Sequence, residues 1–519
     1  MNRDKNVELL EEFPNQWDVL IIGGGATGLG AAVDSASRGF KTLLLEQHDF
    51  AKGTSSRSTK LIHGGLRYLQ QGNLSLVIEA LRERGLLCQN APHLVHPLPF
   101  LVPTYKWWEG SFYGTGVKIY DLLAGSLGLE PSKHLNKNET LKKLPTLDPE
   151  NLRGGVIYYD GQFDDARLAI SLARTSTDLG GVLINYMKVS GFLKKQGRCI
   201  GVKVKDLESG KEYKLKSKVI INATGAFSDQ IRHLDDRKSI PLMVPSRGTH
   251  IVLPREFLPC NTAILIPHTE DNRVVFFIPW HDKVLVGTTD IPVSKVTLEP
   301  TALKKEISFL LKYASRYLTK QPITSDILSV FTGIRPLVKS DETKETSSLS
   351  RDHRIVISSS GMISILGGKW TTYRQMAEDV IEKAIQISDL PEHPCITRTL
   401  PLHGFEKDID PQDPWSVYGT DRPILNSIIK KEGIALEKKL HPKLFYKQVE
   451  VLFAARKEMA RTVEDVLARR TRSLLLDARA SVEAAPLVAK LLAKELGKDC
   501  AWEKEQVITY TELAEKYFG

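Results

Sequence analysis

The chain has 519 residues, enough for two or three domains around a sizeable buried core. Its 42% hydrophobic and 26% charged residues are those of a folded globular protein, and no apolar run approaches the roughly 18 residues that a membrane-spanning helix needs. The net charge of +9 is spread along the chain without a nucleic-acid motif, so a solvated basic surface that attracts a phosphorylated substrate ranks first, an anionic membrane second and nucleic acid a distant third.

Residues 1–16 hold acids and Pro14 with no apolar core, which is unlike a secretory signal, and Arg and Ser are too sparse there for a transit peptide. From Trp17 the pattern sharpens. Val19–Ile22 predicts a buried strand that runs into Gly23-Gly24-Gly25-Ala26-Thr27-Gly28. A helix carrying Ala31, Ala32, Val33 and Ala36 follows, and Thr42–Leu45 predicts a second strand ending at Glu46. Gly23 permits the tight turn, Gly25 lets the backbone approach a pyrophosphate, and Gly28 allows close helix–strand packing. The helix start offers unpaired N–H groups to phosphate, and Glu46 is placed to accept hydrogen bonds from a ribose. Strand, glycine turn, helix, second strand and acid together point to dinucleotide binding rather than an ordinary βα turn.

In Phe50–Tyr68, the hydroxyl residues Thr54, Ser55, Ser56, Ser58 and Thr59 surround Arg57 and Lys60, a composition suited to a diphosphate and sugar. His63-Gly64-Gly65 and Arg67-Tyr68 follow, where glycines would let a large ring lie against the backbone. A solvated loop leading to an ordinary helix fits these residues equally well. Leu74–Cys88 has helical spacing, and Pro92–Pro103 reads as a proline-broken crossing. Between Trp107 and Leu129, five aromatic residues mix with Lys106 and Lys118. That mixture suits either a segment lying on a bilayer or a helix pair packed on the protein itself. Val156–Asp165 predicts a strand and turn before the helix Ala166–Leu179. Lys218–Asn222 runs into a second glycine turn, Ala223-Thr224-Gly225. From Met243 to Thr289 short β-rich runs recur without helices, which predicts an antiparallel sheet beside the nucleotide-binding part.

Thr301–Thr319 is an amphipathic basic helix, read as core packing with a wet lysine face. Gly333-Ile334-Arg335-Pro336 and Ser350-Arg351-Asp352 follow. A strand at Ile363–Leu366 meets a third glycine turn, this one carrying Lys369. Pro391–Pro414 reads as a linker, and Asp421–Gly519 is almost wholly helical in pattern. The five cysteines are scattered and lack C-x-x-C spacing, so neither a disulfide framework nor a cysteine zinc site is expected, nor is another metal site.

Taken together, IGGGATGLG, TSSRSTKLIHGGLRYL, YYDGQFDDARL, INATGAFSD, SRGTHIVLP, VGTTD, GIRPL, GGKWTTYR and VEDVLARRTR resemble the FAD-dependent glycerol-3-phosphate dehydrogenases, in family order over about residues 17–480. The resemblance implies an α/β fold with three parts: an FAD-binding Rossmann-like domain of the glutathione-reductase type, an antiparallel β-sheet substrate domain and a C-terminal helical domain. The oxidoreductase region would span 1–395. Its FAD-binding part would comprise about 17–90, 150–235 and 350–390, its substrate cap about 91–149 and 236–349, and the helical domain 396–519. It further implies oxidation of sn-glycerol 3-phosphate to dihydroxyacetone phosphate, with the C2 hydrogen passing as hydride to flavin N5. Electrons would go on to ubiquinone or menaquinone at a membrane.

Carried over by motif, Arg67, Tyr68, Arg335, Arg351 and Lys369 would hold the substrate, and His63, His250 and Arg335 would serve catalysis. Either histidine fits the base: His63 has the stronger context because glycines bring it beside the ring, and His250 reads equally as a strand histidine with a satisfied hydrogen bond. The sequence does not choose between them. Gly23, Gly25, Gly28, Glu46, Thr54, Ser55, Ser58, Gly225, Gly368 and Thr372 would hold the flavin. GGKWTTYR and YYDGQFDDAR look closest to the mitochondrial type. The expected absence of a transit peptide and of a calcium-binding extension points instead to the cytoplasmic face of an inner membrane, as a peripheral protein, with a homodimer left open as its assembly. An oxidase that passes electrons to oxygen is the alternative within the family. An RNA-modifying flavoprotein and a non-catalytic flavoprotein are those outside it.

Overall fold

The computed structural model describes residues 1–70, 72–270, 273–339, 352–410 and 413–519. Trp17–Ile22 is central in the first sheet, parallel to Thr42–Leu45 on one side and to the end of Glu212–Asn222 on the other. The order across that sheet is His353–Ile357, Ile363–Gly367, Glu212–Asn222, Trp17–Ile22, Thr42–Leu45 and Val182–Ile184. Within that row of six the first pair is antiparallel and the other pairs are parallel. Val19, Ile21 and Leu44 face a layer built from the helices Ala26–Ser37, Asp165–Asp178 and Tyr373–Ile387. Leu20, Ile22, Leu43 and Leu45 face the other way, toward a meander of Met187–Lys195, Arg198–Asp206 and the first half of Glu212–Asn222. Both faces are covered, which is why these strands read as unbroken apolar runs rather than alternating ones.

Among the described residues the second sheet has ten strands and is antiparallel apart from one pair, Ala263–Ile266 beside Val95–Thr104. The expected β-rich region supplies four of these strands, and the others join it from outside. Gly154–Phe163 and Leu61–Ile62, grouped by sequence with the nucleotide-binding part, pair here. Pro92–Pro103 is not a broken crossing, because Val95–Thr104 pairs along its whole length with Gly154–Phe163. Pro97, Pro99 and Pro103 share one parity, so their missing N–H groups fall along a single edge of the strand, and the other edge keeps its ladder. Phe100, Val102 and Val252 face the C-terminal helices, whereas Leu101, Ile251 and Leu253 face the helix Lys304–Tyr317. That helix buries Leu310, Tyr313 and Ala314 and leaves Lys304, Lys305 and Lys312 exposed, as its pattern predicted.

The C-terminal part is helical, with Arg422–Glu432, Val449–Lys457, Ala478–Leu496 and Cys500–Ala514 as its longer helices. The aromatic segment forms the helix Glu109–Ala124, which buries Tyr113, Val117 and Tyr120. Its outer side and the turn before it expose Trp107 (81%), Phe112 (53%) and Leu122 (79%). Among the described residues no helix is long and apolar enough to cross a membrane.

Candidate active site

Three parallel strands, ending at Ile22, Asn222 and Gly367, each turn at glycine on the same edge of the first sheet. In an open parallel sheet this carboxyl edge is where ligands bind. Gly23 has φ +108°, and a Cβ on it would lie 2.8 Å from the Ala223 carbonyl oxygen. A Cβ on Gly28 would come within 1.9 Å of the Gly23 carbonyl oxygen, so the turn closes only with glycine at both places. Gly25 is the N-cap of the helix Ala26–Ser37 and supplies no side-chain cap, which leaves that helix start open to an anion. The Ala26 N–H donates to the Ser55 hydroxyl at 2.9 Å, placing Ser55 at the same point. Glu46 accepts from the Gly24 N–H at 2.6 Å and the His48 N–H at 2.8 Å. Burial pushes its carboxyl up despite those two donors, and pushes the His48 imidazole down to about 4. Gly23, Gly25, Glu46, Thr54, Ser55 and Gly225 line one cleft, which continues to Gly368, Lys369 and Trp370. Exposed N–H groups, missing Cβ atoms and a carboxylate at the second strand's end together fit the pyrophosphate and ribose of FAD.

The far end of the cleft is lined by His63, His250, Arg335 and Lys369, and shares Thr54, Pro336, Gly368, Lys369 and Trp370 with the nucleotide end. The two form one continuous channel. His63 is held from both sides of its turn. Its own N–H donates to Thr371 Oγ1 at 3.2 Å, and the Gly64 N–H donates to the Tyr120 hydroxyl at 2.7 Å. Gly65, at φ +80°, lies so close to the Tyr68 ring that a Cβ would be 2.3 Å from it. The Lys369 ammonium is 4.7 Å from the centre of that ring.

His250 lies on the strand Ser246–Pro254, its Nε2 3.0 Å from Thr59 Oγ1 and its ring stacked 4.9 Å from Phe331. Burial drives its imidazole well below the ordinary range, with Lys60 and Arg335 adding to the effect. Among the described residues its Nδ1 has no hydrogen-bond partner. Arg335 closes the strand Ser329–Arg335. Its Nη2 donates to the Thr289 carbonyl at 2.9 Å and to Thr288 Oγ1 at 3.2 Å, while Nη1 is 3.3 Å from Asp290 Oδ1. A Cβ on Gly248 opposite would fall 2.3 Å from the guanidinium, so a side chain there would push the Arg335 fork aside.

The structure thus gathers His63, His250, Arg335, Lys369 and Tyr68 around one end and most of the expected flavin residues around the other. Several hydroxyl-loop residues turn elsewhere. Ser58 donates its hydroxyl to Asp165 at 2.7 Å, and Lys60 is fully buried against the same carboxylate at 2.6 Å. The Asp165 carboxylate draws both side chains inward, although Ser58 still lines the His250 end of the cleft. Arg57 pairs with Glu299 at 2.6 Å, and Glu299 accepts a hydrogen bond from the Tyr517 hydroxyl at 2.9 Å. Thr372 is buried under the third glycine turn. The backbone of Arg67 belongs to the helix Leu66–Gln70 but its side chain, like the whole of Arg351, lies outside the described residues. Sequence reasoning missed Thr59 as the partner of His250, the Thr288–Asp290 turn as the support of Arg335, and Tyr120. VGTTD carried a signal for the second, whereas Tyr120 is 56 residues from Gly64 with no local mark.

Comparison with known proteins agrees with this geometry. Residues 18–374 match the family FAD dependent oxidoreductase, and residues 362–506 match the C-terminal domain of alpha-glycerophosphate oxidase. The mitochondrial glycerol-3-phosphate dehydrogenase of Mus musculus is 39% identical, over 98% of this chain and 74% of its own length. The corresponding protein of Schizosaccharomyces pombe is 38% identical, over 99% and 88%. The crystal structure of the glycerol-3-phosphate dehydrogenase from Bacillus halodurans, complexed with FAD, superposes with a TM-score of 0.81 at 27% identity, over 100% of this chain and 98% of that one. An FAD-bound L-alpha-glycerophosphate oxidase from Mycoplasma pneumoniae shares the fold, with a TM-score of 0.57 at 20% identity, over 74% of this chain and 98% of that one. With its two-ended cleft and these matches along nearly its whole length, the chain belongs to the FAD-dependent glycerol-3-phosphate dehydrogenase family.

Proposed function

We propose that the protein oxidises sn-glycerol 3-phosphate to dihydroxyacetone phosphate and passes the electrons to a membrane quinone. The observation that carries this reading is the continuity of the cleft from the Gly23–Gly28 turn to the pocket of His63, His250, Arg335 and Lys369. FAD, when bound along Gly23, Gly25, Glu46, Ser55, Gly225 and Gly368, supplies the acceptor for the C2 hydride. Arg335 and Lys369 hold the substrate phosphate, arginine's planar fork matching two of its oxygens. Arg67 and Arg351 complete that cradle by motif. His250 is kept neutral by burial and accepts the hydroxyl proton, while Thr59 at its Nε2 fixes the ring. The His63 turn closes the other side of the pocket. In domain terms, the region to about residue 395 carries cofactor and substrate, and the helices of 396–519 support it.

A peripheral seat on the cytoplasmic face of an inner membrane goes with this reading. It is supported by the exposed Trp107, Trp108, Phe112, Ile119 and Leu122 with exposed Lys106 and Lys118 among them, a pattern of apolar and cationic side chains suited to an anionic lipid surface. The fuller structural likeness to the dehydrogenase than to the oxidase favours a quinone over oxygen. Steady-state turnover of the purified FAD-loaded protein with a short-chain ubiquinone analogue tests this. Quinone reduction should far outpace peroxide release, and stoichiometric peroxide without quinone reduction would favour the oxidase.

A further inference from the structure

Lys60 is a cation with no room for water, and the proposed chemistry does not use it. It is fully buried and its backbone takes φ +62°, a left-handed conformation that side chains other than glycine adopt at a cost. Its ammonium donates to Asp165 Oδ2 at 2.6 Å and to the Ser56 carbonyl at 2.9 Å. Asp165 also receives the Ser58 N–H and hydroxyl, and Arg472 from the C-terminal part at 3.0 Å. Ser56, Ser58 and Lys60 of the short loop 56–60 are therefore pinned from below, Arg57 is held by Glu299, and Thr59 points its hydroxyl at His250 Nε2.

The same ammonium is 5.1 Å from the centre of the Phe331 ring and 5.5 Å from that of Trp280. Phe331 is the ring on which His250 stacks, nearly parallel at 14°. The charged groups acting on the imidazole are Lys60 on the loop and Arg335 on the neighbouring strand. The nearby carboxylates Asp165 and Asp290 are paired with those two cations and not with the ring. In a dry environment a cation disfavours a second positive charge nearby, the more so here because the Asp165 carboxylate pairs with the ammonium and not with the imidazole.

We propose that Lys60 is a positioning residue for His250: its buried ammonium, beside the Phe331 ring on which the imidazole stacks, adds to burial in disfavouring a second cation there, and the loop it pins sets the Thr59 hydroxyl on Nε2. The inference rests on His250 being the proton acceptor. Burial lowers the lysine itself to about 8, against the pull of Asp165, so the ammonium is charged throughout the acid range where His250 would otherwise take up a proton.

The test uses the FAD-loaded full chain labelled with carbon-13 at histidine Cε1, with His250→Asn identifying the His250 signal. In the wild type that signal should stay in its neutral form down to the lowest pH at which FAD is retained. In Lys60→Met its protonation midpoint should rise by roughly one pH unit and enter that range. A signal that stays neutral in Lys60→Met would mean that burial alone suffices, and would overturn the proposal. If Lys60→Met does not retain FAD, Lys60→Gln is read in the same way. Loss of FAD in both would make Lys60 a folding residue and overturn the proposal as well. The underlying reading is judged separately. Unchanged anaerobic flavin reduction in His250→Asn would remove His250 as the base, whatever the labelled signal does.

Discussion

Arg335 reaches the pocket from the last position of its strand, with Nη2 donating to Thr288 and Thr289 and Nη1 beside Asp290. If Arg335 holds the substrate phosphate as proposed, replacing it with alanine removes those charge-assisted contacts and leaves the Gly23–Gly28 end of the cleft untouched. Arg335→Ala should therefore raise the KM for glycerol 3-phosphate by roughly two orders of magnitude with FAD content unchanged, as steady-state kinetics beside flavin absorbance would show. Normal kinetics would remove Arg335 from the pocket. At this scale the sequence was legible where backbone geometry demanded a residue type. Gly23 and Gly28 are forced by the tightness of one turn, and Glu46 by its place at the end of a strand. It was not legible where a distant partner decides a side chain's direction. Ser58 and Thr54 are both hydroxyls in one loop. Ser58 turns to Asp165, 107 residues on, and Thr54 to the carbonyl of Ile334.

Among the elements, the helix Glu109–Ala124 has two jobs on two faces. Its inner Tyr120 accepts the Gly64 N–H and donates to Asp160, which Arg84 holds at 2.7 Å. Tyr120→Phe keeps the ring but strands a buried N–H and weakens the hold on a buried carboxylate, a loss of about 1–3 kcal/mol that thermal unfolding of the holoenzyme would register. A melting temperature equal to wild type would show that the hydroxyl bears no load. Its outer face calls for a different measurement. Trp107→Glu with Leu122→Glu should abolish sedimentation with anionic phospholipid vesicles while sparing activity toward a water-soluble dye acceptor, and undiminished vesicle binding would exclude this face. The helix itself was readable from spacing, and Thr42–Leu45 matched its strand because an apolar run buried on both faces has little freedom. Val95–Thr104 was misread because proline is a strong local signal against strands. Only the pairing partners reveal that all three prolines share an edge that tolerates them.

Across the whole molecule, the C-terminal helices act as the floor of the cofactor loop. Arg470 pairs with Asp49 at 2.6 Å, and Arg472 donates to the Ser56 carbonyl at 2.6 Å and to Asp165. Arg472→Ala removes one of the two cations on buried Asp165 and the donor to the Ser56 carbonyl, and should destabilise the fold by about 1–3 kcal/mol, with loss of FAD on gel filtration. Retained FAD and stability would contradict the floor. Glu450 gives that layer a pH dependence. Burial raises its carboxyl to about 7, against the Lys447 N–H and the Tyr418 hydroxyl that bind it. The folded state then binds a proton that the unfolded chain releases above about 4.5, so this stabilisation is complete below that pH and is lost as pH rises toward 7. The melting temperature should fall over that interval, and less steeply in Glu450→Gln. Equal slopes would remove Glu450 as the cause. None of these long-range pairings left a mark in local sequence, although VEDVLARRTR drew notice as a motif. The most direct test of the central claim, one cleft joining a nucleotide end to a phosphate-binding end, is anaerobic flavin bleaching. Glycerol 3-phosphate should bleach the bound flavin fully, glycerol should not, and a quinone analogue should restore the colour. A flavin that stays oxidised with saturating glycerol 3-phosphate would contradict the account.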